Sequence, residues 1–217
     1  MGGIAQDVRR LVEDLRPHLP RGMSVEVLGQ VQTMKSSFLQ LGVGLVLAVV
    51  MVYLLIVVNF QSWVDAFIII NALPAALAGI CWMLFLTGTT LSVPAMTGAI
   101  MTMGVATANS ILVVAFARQR MGDGLDPIKA ALDAGATRIR PVLMTALAMI
   151  IGMLPMSLGL GEGGEQNAPL GRAVVGGLLL ATAATLLFVP VVYATLRRKS
   201  GHTPDEELAE ELREGAR

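Results

Sequence analysis

Apolar residues along this chain fall into five long runs, and charged residues are confined almost entirely to the gaps between them. A bilayer core about 30 Å thick takes ~20 apolar helical residues. The runs 38–60, 64–86, 94–117, 139–159 and 171–196 each meet that length. The links 61–63 and 87–93 are too short for soluble domains and force antiparallel neighbours. The expected fold class is therefore mainly α, a polytopic bundle of five transmembrane helices. The head, residues 1–37, has a different pattern. Ile4, Val8, Leu11, Val12 and Leu15 share one helical face, and Pro17 and Pro20 end that helix. Met23, Val25 and Val27 then alternate as in a strand. One helix and one strand cannot close a core, so the head reads as a short α/β remnant of a larger subdomain. Residues 197–217 form a charged tail, with a candidate solvated helix over 205–213.

Composition agrees with the pattern. Of 217 residues, 54% are hydrophobic and 15% charged, against roughly 25% charged in an ordinary soluble domain. Sixteen basic and sixteen acidic residues cancel, which argues against a nucleic-acid partner. The single cysteine, Cys81, excludes an internal disulfide framework and a cysteine-based zinc site. It reads as a small buried apolar residue. His18 and His202 lie far apart in polar flanks, so no metal site and no cofactor is expected.

The placement of the charges sets an orientation. Arg118, Arg120, Lys129, Arg138 and Arg140 crowd one inter-span loop and its edge, and Arg197, Arg198 and Lys199 follow the last span. Five spans put these regions on one side, which the positive-inside rule makes cytoplasmic. The opposite side carries Arg172 alone at its edge, with Glu162 and Glu165. The head would then lie outside, yet it carries Arg9, Arg10, Arg16, Arg21 and Lys35 with no apolar signal region before them. A preceding span is expected upstream, making the chain the C-terminal part of a larger protein. Within the cytoplasmic loop, Asp126-Pro127 is a helix start. Ile128, Ala131 and Leu132 predict a short helix lying along the membrane surface.

Several segments resemble a known family. Phe60-Gln61-Ser62-Trp63 resembles the short turn between the eighth and ninth helices of resistance–nodulation–division (RND) efflux permeases. Residues 104–117 (GVATANSILVVAFA) resemble the tenth helix, and 138–152 (RIRPVLMTALAMIIG) the start of the eleventh. Gln166-Asn167-Ala168, Val175-Gly176-Gly177 and Phe188-Val189-Pro190-Val191 resemble the last loop and the twelfth helix. The resemblance implies a proton-driven exporter of the bacterial inner membrane. It implies a homotrimer working with a periplasmic adaptor and an outer-membrane channel, and a head that ends the periplasmic porter domain. It also implies a partner half carrying the relay carboxylates, surrounded by a Lys, an Arg and a Thr. By position the Arg is Arg138 and the Thr is Thr145, while the Lys position falls on Ala108, beside Asn109. That departure removes one cation from the expected relay.

The residues themselves allow functional and structural readings. A proton relay needs a titratable group within the membrane, and the spans hold no Asp or Glu beyond Asp65 at the start of the second. The carboxylate must then come from the missing N-terminal half. Arg138 is a relay candidate or a snorkelling anchor, and Arg140 an interfacial anchor. Thr145 lies two turns after Arg138 on the same face, as a relay hydroxyl or bonded to its own i−4 carbonyl. Asn109 is a relay candidate or interhelical glue. Gly104 with Ala108, and Ala75 with Gly79, are small-xxx-small packing pairs. Trp63 is an interfacial anchor, and Pro74, Pro155 and Pro190 are expected kinks.

Met96, Met101, Met103, Met144, Met149, Met153 and Met156 open the alternative of a heavy-metal (Cu/Ag-type) exporter; adaptable packing is the other reading. Residues 159–164 satisfy G-x-G-x-x-G but follow a membrane helix instead of a strand, so they read as an outer turn. No catalytic constellation lies in the spans. A non-transporting scaffold, a truncated or split product, is the alternative of another class.

Overall fold

The computed structural model describes residues 10–12, 14, 30–161 and 163–199. Over residues 30–199 seven helices run in the order α1 (Gln30–Phe60), α2 (Trp63–Ile70), α3 (Ala72–Leu86), α4 (Val93–Gly122), α5 (Pro127–Ser157), α6 (Gly164–Ala183) and α7 (Val189–Lys199), with a π-helical turn, Ala184–Phe188, joining α6 to α7. Together they make five segments long and apolar enough to cross a membrane. No strand occurs among the described residues; the expected strand over 23–27 and the acidic tail lie outside them. Of the expected head helix, 10–12 and 14 are described, and they are helical.

Prolines explain the interruptions. Pro74 has no N–H for the Ile70 carbonyl, and its ring crowds it; the second span accordingly breaks at Asn71, between α2 and α3. Pro190 does the same to Leu186, and the backbone there widens into the π turn. One expectation is corrected. The loop after the third span holds no separate surface helix. Asp126-Pro127 does start a helix, but α5 then runs unbroken through Pro141 to Ser157. The apolar faces of the loop and the span are in register, and Ala130, Ala131, Ala134, Val142 and Ala146 bury one continuous stripe.

The α6 helix is the hub, packing against α3, α4 and α5. Its small residues permit this. A Cβ on Gly176 would meet the Met83 side chain and lie 2.6 Å from the Gly79 carbonyl oxygen. A Cβ on Gly171 would lie 2.6 Å from the Ser157 nitrogen. At the end away from Arg118 and Arg197, Arg172 donates to the Ser157 carbonyl (3.0 Å) and the Thr89 hydroxyl (2.6 Å), joining α6 to α5 and to the α3–α4 turn. The turn before α6 uses positive φ at Gly159, Gly161 and Gly163, a compact reversal and not a phosphate cradle.

Burial is uneven. Half of the apolar stretch is buried in the third and fifth spans (50% each), but only 11% in the fourth and 6% in the first. The outer sides of α1 and α5 therefore carry uncovered apolar surface. Cys81 corrects another expectation: it is exposed, on a side of α3 where Trp82 and Phe85 are exposed too.

Candidate functional site

The polar residues of the bundle divide into an interior set, a closed ionic cluster and an open edge. The interior set lies along α4. Thr102 and Thr107 are buried and donate to their own i−4 carbonyls, Gly98 and Met103, at 2.8 Å each. Ser110 and Thr185 share a buried hydrogen bond of 3.0 Å, so the π turn is tied to α4. Thr182, one turn before it, has a buried hydroxyl without a partner. Asn109 is 6% exposed, on the interior side of α4. Apart from Thr182, the hydroxyls satisfy one another or their own helix, as apolar surroundings demand.

The ionic cluster centres on Asp65, which is fully buried. Ser62 caps α2 by accepting from the Asp65 N–H (3.3 Å), which fixes the carboxylate at the start of the helix. Arg197 of α7 donates to Asp65 Oδ2 at 2.7 Å, and Arg118 of α4 stands 3.7 Å from the same oxygen. Arg118 also donates to the Phe60 carbonyl at 2.5 Å, capping the end of α1 before the strained Gln61 (φ 49°). Tyr193 is buried beside the cluster, its hydroxyl 3.2 Å from the Met121 sulfur. Arg197 and Arg118 thus tie one buried carboxylate at the start of α2 to α7 and α4, so Asp65 is suited to holding three segments together. In the sequence Asp65 reads only as a charge at a span's edge. The Ser-x-x-Asp cap of residues 62–65 is the signal that points to its fixed position.

The open edge is on α5. Arg138 has its guanidinium carbon 4.7 Å from the centre of the Phe116 ring. Its Nε is buried without a hydrogen-bond partner, as are Arg197 Nε and Asp65 Oδ1; what sets Arg138 apart is that no carboxylate lies within ion-pair distance of it among the described residues. Arg120 lies over the same ring at 4.9 Å, but is paired with Asp133 (2.7 Å) and lies 3.7 Å from Asp123. Thr145 is exposed and donates to Pro141 and Val142 of its own helix, at 3.1 and 3.0 Å. Ala108 and Gly104 are exposed on α4, with open space around Gly104. Ala75 is half-buried, and Gly79 is buried at the α3–α6 crossing. Trp63 is 64% exposed, its ring 5.9 Å from that of Tyr53, and Arg140 is exposed. Arg138, half-buried on the stripe that faces α4, and the exposed Thr145 thus share α5, while Asn109 turns inward.

The methionines differ in exposure: Met103 is buried, whereas Met101, Met144 and Met156 are exposed. Among the described residues no group of three His, Cys, Asp or Glu side chains is placed to hold a metal ion.

Comparison with known proteins agrees on a family. The sequence model of the AcrB/AcrD/AcrF family matches residues 1–197. The swarming motility protein SwrC of Bacillus subtilis (strain 168) is 37% identical over 192 residues, 86% of this chain and 18% of that protein. The nickel and cobalt resistance protein CnrA of Cupriavidus metallidurans is 32% identical over 211 residues, 96% of this chain and 19% of its own. The multidrug resistance protein MdtC of Erwinia tasmaniensis is 36% identical over 164 residues, 74% of this chain and 16% of its own. The crystal structure of a heavy metal efflux pump superposes with a TM-score of 0.69 at 31% identity, covering 83% of this chain and 18% of that one. The chain therefore spans less than a fifth of the length of each of these relatives.

Proposed function

We propose, since the chain belongs to the AcrB/AcrD/AcrF family of RND efflux permeases, that it is the C-terminal membrane part of a proton-driven exporter of drugs or other small amphiphiles. Its five spans contribute helices to an inner-membrane permease whose remaining half packs on the uncovered sides of α5 and α1. Residues 1–37 end the periplasmic porter subdomain, 38–196 form the membrane part, and 197–217 are cytoplasmic. The assembled permease is a trimer joined to an adaptor and an outer-membrane channel.

The observation that carries this reading is Arg138: a membrane-edge guanidinium with a buried, unpartnered Nε and no anion in reach among the described residues. An arginine so placed usually has a partner. In the proposal that partner is a carboxylate on the other half. The ionised acid pairs with Arg138; the protonated acid releases it, and the two pairings bias two packings of the halves. Thr145, on the same helix, offers its hydroxyl to the same acid. With Ala108 at the family's lysine position, Arg138 carries the cationic part of the relay.

In the complete permease, Arg138→Ala is expected to abolish export of a fluorescent dye from loaded cells at an unchanged membrane level of the protein. Undiminished export in that variant removes the relay reading. A second reading of the cargo, heavy-metal cations, is favoured by the similarity to a nickel and cobalt resistance protein and to a heavy metal efflux pump. Resistance to Ni²⁺ or Co²⁺ without dye export selects it. A permease that exports neither is the scaffold.

A further inference from the structure

We infer that Phe116 is the positioning residue for Arg138, an aromatic shelf that holds the guanidinium against the last part of α4 without occupying its donors; the inference rests on the relay reading above. Phe116 sits in the last part of α4 and is half-buried. Two guanidiniums approach its ring, Arg138 at 4.7 Å and Arg120 at 4.9 Å. They are held differently. Arg120 is tethered to Asp133 at 2.7 Å, whereas Arg138 has the ring and no anion among the described residues.

The chemistry of the contact matters. A cation is drawn to the electron-rich face of the ring, and no N–H donor is consumed in the attraction. A carboxylate in the place of Phe116 would saturate the guanidinium fork and lock it. A Leu there would leave the cation without any compensation and let it snorkel to the headgroups. The ring therefore suits a cation that must stay at membrane depth and still be available to an acid from outside the chain. Arg120 shares the ring but is tethered to Asp133, so Arg138 is the guanidinium there without an anion among the described residues. Loss of hydrogen-bonding freedom is avoided and the site is pre-organised.

The test uses the complete permease and reads the export rate per molecule in the membrane. Phe116→Leu is expected to lower that rate about 10-fold, as loss of a partly desolvated cation–π contact predicts, while Phe116→Tyr and Phe116→Trp keep it within about 2-fold. Because Phe116 acts through the cation at position 138, adding Phe116→Leu to Arg138→Gln, which leaves no charge for the ring to hold, is expected to cause no further loss, the mark of coupled sites. Equal losses in the Leu, Tyr and Trp variants, or independent losses in the double variant, overturn the inference. Should the Leu variant fail to insert, Phe116→Met takes its place, as an unbranched chain of similar reach without a ring. If Arg138→Ala exports normally, the relay reading has failed; if Arg138→Ala is inactive but Phe116→Leu is fully active, the shelf alone has failed.

Discussion

Two groups of arginines at one end of this bundle are held in opposite ways. Arg118 and Arg197 close on Asp65, a carboxylate supplied by the chain itself and fully buried. Arg138 closes on no anion among the described residues and rests on a phenyl ring. The helices around them differ in the same sense. The stretch around Asp65 buries Ala66, Ile68 and Ile69, and Val113, Val114 and Tyr193 complete its core. The helix that carries Arg138 leaves Leu147, Ile151 and Met144 exposed. A charge neutralised from within is an element of the fold. A charge that has no anion among the described residues is, in the relay reading, free to take one from the other half.

The largest effect that would break this contrast is functional. Arg138→Ala removes no ion pair among the described residues, so the protein is expected at normal level and heat resistance with export lost. Asp65→Ala is expected to do the reverse, lowering stability first. Removing one partner of a buried ion pair costs about 3–5 kcal/mol. Here the lower bound applies, because Arg118 and Arg197 keep part of their side chains outside and can reach the interface. The measurement is the temperature at which the detergent-solubilised permease aggregates, alongside export per molecule. If the two variants behave alike, the division between structural and functional charges is wrong.

Much of this is legible in the amino-acid sequence. Five apolar runs predict the five spans, and counting along them places Asp65, Arg118 and Arg197 on one side of the membrane. What the runs do not carry is depth and rotation. Whether Asn109 or Ala108 turns inward depends on a 100° step of helix, and α4 is apolar enough on every side to hide it. The segment after Asp126 has the pattern of a separate surface helix, yet it is the first part of α5. A proline costs the helix one hydrogen bond, and the buried stripe that crosses Pro141 outweighs that. The Phe116 shelf has no sequence signature at all, since Phe116 and Arg138 meet only when α4 and α5 turn back on one another.

A smaller effect sharpens the contrast between covered and uncovered helices. Gly176 and Gly104 are both helical glycines, but a Cβ on Gly176 would strike Met83 and the Gly79 carbonyl, whereas Gly104 has open space. Gly176→Ala overpacks the α3–α6 crossing and is expected to cost about 1–3 kcal/mol, read from the same aggregation temperature. Gly104→Ala meets nothing in this bundle and would gain up to about 1 kcal/mol of helix propensity. Destabilisation by Gly104→Ala in the complete permease would place another helix against that face of α4.

The smallest expected effect is the most demanding test of the closed cluster. If Asp65, Arg118 and Arg197 serve only to hold three segments, apolar residues of similar size should serve as well. Asp65→Leu, Arg118→Met and Arg197→Met together remove both signs of charge, so no buried ion is left unpaired. Replacements of this kind are commonly neutral or stabilising by about 1–4 kcal/mol. Arg118 also caps the Phe60 carbonyl, and losing that bond takes back about 1 kcal/mol. The triple variant is therefore expected within about 1–2 kcal/mol of the parent, far above Asp65→Ala, and to export at the parental rate. Arg120, Arg138, Arg140, Arg198 and Lys199 remain to orient the helices. A stable triple variant that cannot export would show that the cluster takes part in transport, and that the fold's own ion pairs and the open arginine belong to one mechanism.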